Sequence, residues 1–559
     1  MPQPSPRSRR RFLYLILKLF ITSLLVASPK SPNIIMFLID DQDFDQLATY
    51  GGETYTPNLD RLAAEGIKFN RAYVSSTVCT PSRYSFLTGR YAGASYEQSF
   101  IAENPLGDQG HIGFNMGLED DNMNVGAVLA ANGYTTGFVG KYHAHGTESL
   151  SEKDFEMGIR RFEKNLKATP ENSAILRSNE LIYREELMRR GFSWAKHVYP
   201  GNMKKPFGHH NPEWTMEAAL EFLEENKERP FYLHYCSTLL HGPNGSWLQS
   251  MTQPQCTGMG TVEPDPAVIA ARQELLEVLE QKGFEPKKHY GIAWIDANLG
   301  VMLDKLKELG IDDNTLVVFA PDHGSSDKGS LYGHNGNHIP LLMRWPAGIP
   351  AGLESDELVQ NIDMVPTFFD LASARVPSGY LMHGISLKPL LKDGKAPSGT
   401  WRDSLYFEIG AVRAIMTEDW KYISVRYPRD RIEAIKRSKM NNLPRIMNPL
   451  NRWGIGLRGL DHPGFWDQDQ LYHLSRDERE MNNLAASPEH QPKLQEMQRR
   501  LTAMLKTFEN RPYGEFVPGG DAVPPGQLEE QFAWVRQLEV RGKKVVIPPE
   551  LQGLNSRRK

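Results

Sequence analysis

The sequence predicts an α/β protein built on one large, doubly wound, mostly parallel sheet flanked by helices. Helical and strand-like segments alternate along most of the chain, which is the pattern of such folds. Several strand-like segments are continuous apolar runs, as expected for strands that helices cover on both faces. Of the 559 residues, 40% are hydrophobic and 24% are charged, which excludes a disordered chain and a collagen-like repeat.

The predicted sheet begins at the apolar run 33–39. The first helix starts near Thr56, a candidate capping residue, has Pro57 at its first position and ends before Gly66. The units that follow are helix 125–131 with strand 135–140, helix 212–225 with strand 231–236, helix 290–309 with strand 315–320, and a last apolar strand at 339–344. Ligands gather at the carboxyl ends of the strands in sheets of this kind.

A smaller domain is predicted after residues 393–399, where the composition turns to Gly, Pro, Ser and Lys. We expect residues 32–395 to form the main domain and residues 400–510 a smaller α+β domain. The latter would contain antiparallel strands at 404–407, 411–417 and 421–425 and a helix at 489–508; residues 511–559 form a tail. Two polar insertions, 144–211 and 242–287, could line a substrate cleft.

The N-terminus, residues 1–28, is predicted to be a signal peptide. Four arginines among residues 7–11 precede the apolar run 12–27, and the small residues Ala27 and Ser28 end it. The apolar run is short for a permanent membrane span. Residues 8–13 also resemble a twin-arginine signal, so Sec and twin-arginine export both stay open. We expect the export machinery as a partner and a periplasmic or secreted location.

Overall charge and cysteine content exclude several other classes of protein. Lys and Arg total 64 against 68 Asp and Glu, which gives a net charge of −4. No global positive field is available for a polyanion, and we expect no nucleic-acid partner. Three cysteines are too few for a disulfide framework or a four-thiolate zinc site.

Acidic clusters follow two of the predicted strands. Asp40 and Asp41 come after the first strand, and Asp322 and His323 after the strand at 315–320. Taken alone, Asp40-Asp41 is more typical of a solvated turn in which Asp41 caps a helix, and Asp322-His323 of a loop hydrogen bond. Equivalent strand ends would bring them together, and oxygen ligands of this kind suit Ca²⁺ or Mg²⁺.

Cys79 is the candidate reactive residue. Pro81 suits the first turn of a helix, so Cys79 would lie at a helix N-terminus, where backbone amides favour anions. Arg83 adds a permanent positive charge one turn further on. The alternative interpretation is a buried structural cysteine.

The run from Cys79 to Arg90 resembles the modification signature of the sulfatase family, Cys-x-Pro-Ser-Arg followed by Leu-Thr-Gly-Arg. The resemblance extends through other motifs over residues 33–485. It implies an alkaline-phosphatase-like fold and a sulfuric ester hydrolase. It also implies that a formylglycine-generating enzyme oxidises Cys79 to formylglycine, whose hydrated aldehyde is the nucleophile.

Further family motifs imply roles for other side chains. Gly140-Lys141-Tyr142-His143 resembles the Gly-Lys-x-His element, which implies Lys141 and His143 as ligands of the ester sulfate and the catalytic oxygen. His241 follows a predicted strand where the family has another histidine. Lys328 lies in a segment like the family's Lys-Gly-x-Leu-Tyr. One departure is Gly333, which stands where family members often carry Glu.

The resemblance implies a division of labour among these residues. The implied Ca²⁺ ligands, with Mg²⁺ as the alternative ion, are Asp40, Asp41, Cys79 as formylglycine, Asp322 and His323. Arg83, Lys141 and Lys328 would neutralise the sulfate oxygens. Either His241 or Lys328 would protonate the leaving group, and His143 would take the proton that allows sulfate to leave.

The expected substrate is a sulfated small molecule or glycan, with a sulfated carbohydrate favoured. Export, the polar insertions and three tryptophans that could stack on sugars, Trp214, Trp247 and Trp466, favour a carbohydrate. Two alternatives stay open: a phosphate or phosphonate ester hydrolase of the same fold, and an inactive member that binds sulfated glycans.

Overall fold

A sheet of eight strands forms the centre of the fold. The computed structural model describes residues 31–104, 110–144, 158–160, 167–203, 207, 210–241, 247, 250, 252–268, 272–410, 412–425, 462–464, 467–508, 539–540 and 543–544. The strands of the described residues, those of the smaller sheets included, are in chain order β1 (Asn33–Ile39), β2 (Ile67–Phe69), β3 (Ala72–Tyr73), β4 (Thr135–Lys141), β5 (Trp194–Tyr199), β6 (Phe231–Cys236), β7 (Cys256–Thr257), β8 (Gly260–Thr261), β9 (Thr315–Pro321), β10 (Leu341–Arg344), β11 (Leu353–Ser355), β12 (Val359–Gln360), β13 (Leu405–Ile409), β14 (Val412–Met416), β15 (Trp420–Val425), β16 (Asp469–His473), β17 (Glu539–Val540) and β18 (Lys543–Lys544).

The order across the large sheet is β11-β2-β10-β9-β1-β6-β4-β5. The central strand β1 pairs in parallel with β9 and β6, and β4 pairs in parallel with β6 and β5. Within this sheet β10 is the exception to the parallel arrangement, because it runs antiparallel to both β9 and β2. The predicted α/β class with a mostly parallel sheet is therefore confirmed.

Helices cover both faces of this sheet. The helices of the described residues are α1 (Pro57–Ala64), α2 (Cys79–Thr88), α3 (Gln98–Glu103), α4 (Val125–Ala131), α5 (Pro170–Arg189), α6 (Pro212–Asn226), α7 (Arg272–Gln281), α8 (Pro286–Glu308), α9 (Met364–Leu371) and α10 (Gln491–Leu505). Of these, α10 packs on the small C-terminal sheet and not on the large one. Alternate β1 side chains enter two separate cores. Met36 packs with α2, α4 and α9, and Phe37 packs with α1, α6 and α8. Burial on both faces explains why β1 is an uninterrupted apolar run.

The segment 144–211 is more regular than a polar insertion, which is a correction to the sequence interpretation. It contains the long helix α5 and the edge strand β5. The apolar stripe of α5 is interrupted by buried acidic residues, which hides its periodicity. One of them, Glu180, accepts a hydrogen bond at 3.0 Å from the Val198 N–H of β5. The segment 242–287 likewise contains α7 and the short strands β7 and β8.

The small sheet has the antiparallel order β13-β14-β15-β16. One face packs on α10, through a cluster that includes Tyr422 and Leu501. The other face packs on the large domain, through a cluster that includes Phe407, Val78 and Leu331. The small sheet thus lies against the segments that precede Cys79 and follow β9.

None of the helices in the described part of the chain combines the length and apolar character needed to cross a membrane. The predicted signal peptide lies outside the described residues, as does most of the predicted tail.

The N-terminus of α1 is capped from another helix, and the expectation that Thr56 caps it is wrong. The Thr56 side chain makes no capping hydrogen bond. Instead Asp296, in α8, accepts from the backbone N–H groups of Asn58 at 2.9 Å and Leu59 at 2.8 Å. A carboxylate is a stronger acceptor for these free N–H groups than a hydroxyl.

Asp296→Ala is therefore expected to lower the free energy of unfolding by about 1–3 kcal/mol, because it leaves buried N–H groups without an acceptor. Denaturant unfolding would measure the loss. The matched control is Asp304→Ala, also in α8, whose side chain is 72% exposed and lies 3.5 Å from Arg61. Its effect should stay within about 0.5 kcal/mol, and equal losses in the two variants would contradict the capping role.

Candidate active site

The predicted site residues at the strand ends meet at one edge of the large sheet. Because β1, β4, β6 and β9 run parallel, their carboxyl ends lie on the same side. The residues at these ends are Asp40 and Asp41 after β1, Lys141 at the end of β4, His143 just beyond it, His241 after β6, and Asp322 and His323 after β9. Neighbouring ends are joined by backbone hydrogen bonds, from Asp40 N–H to Leu239 O at 2.7 Å and from Asp322 N–H to Ile39 O at 2.8 Å.

Cys79 is the first residue of α2, a helix that is buried along its whole length. The Cys79 Sγ atom lies 3.3 Å from His323 Nε2, 3.6 Å from Asp40 Oδ1 and 3.7 Å from Lys328 Nζ. Burial raises the pKa of the Cys79 thiol well above its ordinary value, and the charge of Asp40 raises it further. An unmodified Cys79 is therefore a neutral thiol at neutral pH and a weak nucleophile.

Two buried cations share the Asp40 carboxylate. Lys141 Nζ forms an ion pair with Asp40 Oδ2, and Arg83 Nη2 lies 3.4 Å from the same oxygen. Arg83 also donates through Nε to Asp322 Oδ2 at 2.9 Å. Burial alone would raise the pKa of Asp40, but Lys141 and Arg83 outweigh it and hold that pKa well below its ordinary value. The site therefore keeps Asp40 as a carboxylate although water does not reach it.

Asp41 faces the third cation of the site. Its Oδ1 lies 2.8 Å from Lys328 Nζ and 3.4 Å from His323 Nδ1. The backbone N–H of Asp41 donates a hydrogen bond to Asp322 Oδ1 at 3.3 Å. Burial alone would lower the pKa of Lys328, but the carboxylates of Asp41 and Asp40 raise it above its ordinary value. Lys328 therefore remains a cation.

Four side chains offer donors for one metal ion. The ligand atoms of Asp40, Cys79, Asp322 and His323 all lie within 4.8 Å of one another, and all four residues are buried. Two carboxylates and an imidazole suit Ca²⁺ or Mg²⁺, whereas a thiol is a poor ligand for a hard cation. The donor set therefore fits such an ion best when residue 79 carries oxygen. Asp41 adjoins this group through His323 but is not part of it.

The two predicted catalytic histidines follow neighbouring strands. Burial lowers the pKa of His241 to about 4, although the charge of Asp40 opposes the shift. His241 is therefore a neutral imidazole at neutral pH. His143 donates its backbone N–H to Pro200 O at 3.0 Å, and its ring stacks on that of Phe114 with centroids 5.9 Å apart.

Two residues that hold the site together were not found from the sequence. Asp43 accepts from the Ser326 N–H at 2.9 Å and the Ser326 hydroxyl at 2.6 Å, which ties the loop after β1 to the loop after β9. The Nε2 atom of His210 lies 3.1 Å from the carbonyl oxygen of His241. A lone Asp in a polar turn and a lone His in a polar segment carry no signal of these contacts.

The tryptophans expected to stack on sugars do not serve that purpose where the structure describes them. Trp214 is 1% exposed and packs on the ring of His197, and Trp247 is 3% exposed within the core. Trp466 lies outside the described residues.

Comparison with known proteins identifies the family. Residues 32–374 match the family model described as sulfatase, and residues 321–444 match the C-terminal model of N-sulphoglucosamine sulphohydrolase. The first match spans more than half of the chain and includes every predicted site residue.

Known proteins with similar sequences are sulfatases as well. The chain is 25% identical to N-acetylglucosamine-6-O-sulfatase of Bacteroides thetaiotaomicron, over 86% of this chain and 87% of that protein. It is 28% identical to human N-acetylgalactosamine-6-sulfatase, over 66% and 67%. A solved structure of a protein in complex with its substrate D-glucosamine-2-N,6-O-disulfate shares the fold, with a TM-score of 0.54, 21% identity and coverage of 86% and 99%. The chain therefore belongs to the sulfatase family, a family of sulfuric ester hydrolases.

Proposed function

We propose that this protein is an exported sulfatase that removes sulfate from a carbohydrate ester, with formylglycine made from Cys79 as its nucleophile and a bound Ca²⁺ ion. Mg²⁺ is the alternative ion. The observation that carries the proposal is the position of Cys79, buried within reach of Asp40, His323 and Lys328. The N-terminal segment would direct the chain to the export machinery, and a formylglycine-generating enzyme would act on Cys79.

The thiol of Cys79 does not suit the reaction as it stands. Because burial raises its pKa, little thiolate is present at neutral pH. Formylglycine supplies a hydrated aldehyde, with one hydroxyl to attack sulfur and a second whose proton loss lets sulfate leave. Helix α2 would hold this group at the strand ends, and Arg83 in the same helix would meet a sulfate oxygen.

The proposed metal ligands are Asp40, Asp41, Asp322, His323 and residue 79. When bound, the ion would polarise the sulfate and favour the ionised form of the nucleophile. Four of these residues form the compact donor group. Asp41 lies at its edge, with Oδ1 3.4 Å from His323 Nδ1 and 2.8 Å from Lys328 Nζ.

Substrate charge would be met by the three cations of the site. Arg83 and Lys141 are buried and the side chain of Lys328 is 16% exposed, so contacts with the protein hold all three before the ester arrives. Fixed donors in a water-poor site stabilise charge that develops on the sulfate oxygens. His241 or Lys328 would protonate the leaving oxygen. Without substrate His241 is a neutral imidazole, so it would serve as an acid only after the bound sulfate ester, an anion, raises its pKa.

The relatives support a sulfated carbohydrate as substrate. Two of them are named as sulfatases of the 6-position of N-acetylglucosamine and N-acetylgalactosamine. These names favour sulfate over phosphate esters, although the same cations could hold a phosphoryl group.

Purified enzyme is expected to release sulfate from 6-O-sulfated N-acetylhexosamines faster than from aryl sulfates. Ion chromatography of released sulfate would measure both rates, with the matching sugar phosphates as a control. Faster release of phosphate than of sulfate would overturn the proposal in favour of a phosphoryl hydrolase, and no release from any ester would favour an inactive binding protein.

Elemental analysis of the purified protein is expected to find stoichiometric Ca²⁺ or Mg²⁺. Asp40→Ala should abolish both metal binding and activity, because it removes a ligand and leaves Lys141 and Arg83 without their shared carboxylate. The exposed Asp304→Ala is the control and should keep both. Stoichiometric zinc without calcium or magnesium would contradict the proposed ion.

Cys79→Ala should lower turnover by more than about 10³-fold, as expected for loss of a nucleophile. Cys79→Ser is more informative, because serine can accept the sulfuryl group but lacks the second hydroxyl that releases it. We expect at most one turnover and a sulfate ester that mass spectrometry detects on the peptide containing residue 79. Cys256→Ser, a buried cysteine outside the site, is the control. Full activity with entirely unmodified Cys79 would end the formylglycine hypothesis.

A further inference from the structure

A buried ion pair of the small sheet contacts the segment 324–338, which carries Lys328 and is called here the Lys328 segment. Lys421, in β15, and Glu480, which follows β16, are both completely buried, and Lys421 Nζ lies 2.8 Å from Glu480 Oε1. The other carboxylate oxygen of Glu480 accepts a hydrogen bond from the backbone N–H of Gly333. Glu480 thus joins the small sheet to the Lys328 segment.

Aromatic and apolar side chains lie next to the ion pair. Lys421 Nζ lies 5.4 Å from the centre of the Phe407 ring, and Phe407 packs in one cluster with Leu331. A buried ion pair adds little net stability, because desolvation offsets the attraction between the charges. Apolar side chains would join the sheet to the large domain at least as well. What the pair adds is a fixed, charged acceptor for the N–H of Gly333.

Gly333 begins the turn that closes the Lys328 segment. Within this turn the carbonyl oxygen of Asn335 accepts from the N–H of Asp327 at 3.1 Å, one residue before Lys328. Lys328 Nζ in turn lies 3.7 Å from Cys79 Sγ. A short chain of hydrogen bonds therefore runs from Glu480 to the neighbour of a proposed catalytic cation.

A second contact reaches the same place. The ring of His462 stacks on that of Tyr332 with centroids 3.6 Å apart, and its Nε2 lies 3.5 Å from Asp327 Oδ1. His462 Nδ1 lies 3.4 Å from the backbone oxygen of Glu480. The small domain therefore holds the Lys328 segment on both sides of Lys328.

We propose that Glu480, with its charge balanced by Lys421, is a positioning residue that fixes Lys328 at the reacting group. The proposal rests on the proposed function, because Lys328 acts on the sulfate ester there. It gives the small domain a part in catalysis although Glu480 itself touches no substrate.

Two double variants test whether Glu480 acts as a hydrogen-bond acceptor for Gly333 independently of its charge. Both carry Lys421→Met, so neither leaves an unpaired buried cation. Glu480→Gln keeps an acceptor for the N–H of Gly333, and Glu480→Leu has a similar volume without one. We expect the Gln variant to keep kcat within about threefold of wild type. The Leu variant should lose about 10- to 100-fold in kcat with little change in KM, as for a small misplacement of a catalytic group.

The effect must act through Lys328. In a Lys328→Ala background, the difference in kcat between Gln and Leu at position 480 should vanish, because the group being positioned is gone. Hydrogen exchange of the peptide 324–338 gives a readout that does not need activity. We expect faster exchange in the Leu variant than in the Gln variant at equal Tm.

Several results would overturn the proposal: equal kcat in the two variants, an undiminished difference in the Lys328→Ala background, or equal exchange of the segment. If the Leu variant does not fold, Glu480→Asp in the same Lys421→Met background replaces it, because a side chain shorter by one methylene draws the carboxylate away from the N–H of Gly333. Unchanged kcat in that variant also overturns the proposal. Wild-type protein without sulfatase activity would refute the proposed function and, with it, the catalytic role of Lys328. The difference in hydrogen exchange would still show whether Glu480 orders the Lys328 segment.

Discussion

Burial of the Asp40 carboxylate at the end of the central strand is the constraint on which the site depends. A charge without water is tolerated only when opposite charges surround it. Lys141, from the neighbouring part of the sheet, and Arg83, from α2, supply those charges. The contacts of Arg83 with Asp40 and Asp322 also fix α2, and with it Cys79, against the strand ends. Arg83 therefore both balances the charge of Asp40 and sets the position of Cys79.

The parts of the site that strands do not hold are fixed by polar contacts from outside it. Asp43 joins the loops after β1 and β9, and His210 contacts the turn that carries His241. Glu480 reaches the Lys328 segment from the small sheet. Loops with few apolar side chains cannot be ordered by packing alone, so buried acceptors replace a hydrophobic core there. The small domain is in this sense part of the active-site scaffold.

Prediction of the fold from the sequence succeeded where one strong pattern dominates. Helix 125–131 and strands 33–39 and 231–236 have the bounds that the patterns indicate. It failed where polar residues are buried with partners, as in α5, whose Glu180 is satisfied by β5. It also failed at Thr56, because a residue far away in the chain provides the cap.

The sequence by itself determined the family, the fold class and the set of candidate residues, because the motif from Cys79 to Arg90 and the apolar runs are local patterns. Only the tertiary structure decided which of these residues contact one another. It grouped Asp40, Cys79, Asp322 and His323 and left Asp41 beside Lys328. It also supplied Glu480 and Lys421, which lie far along the chain from the predicted site residues. The physical reason is that ion pairs and buried hydrogen bonds join residues hundreds of positions apart, and their partners are set by how strands and loops pack.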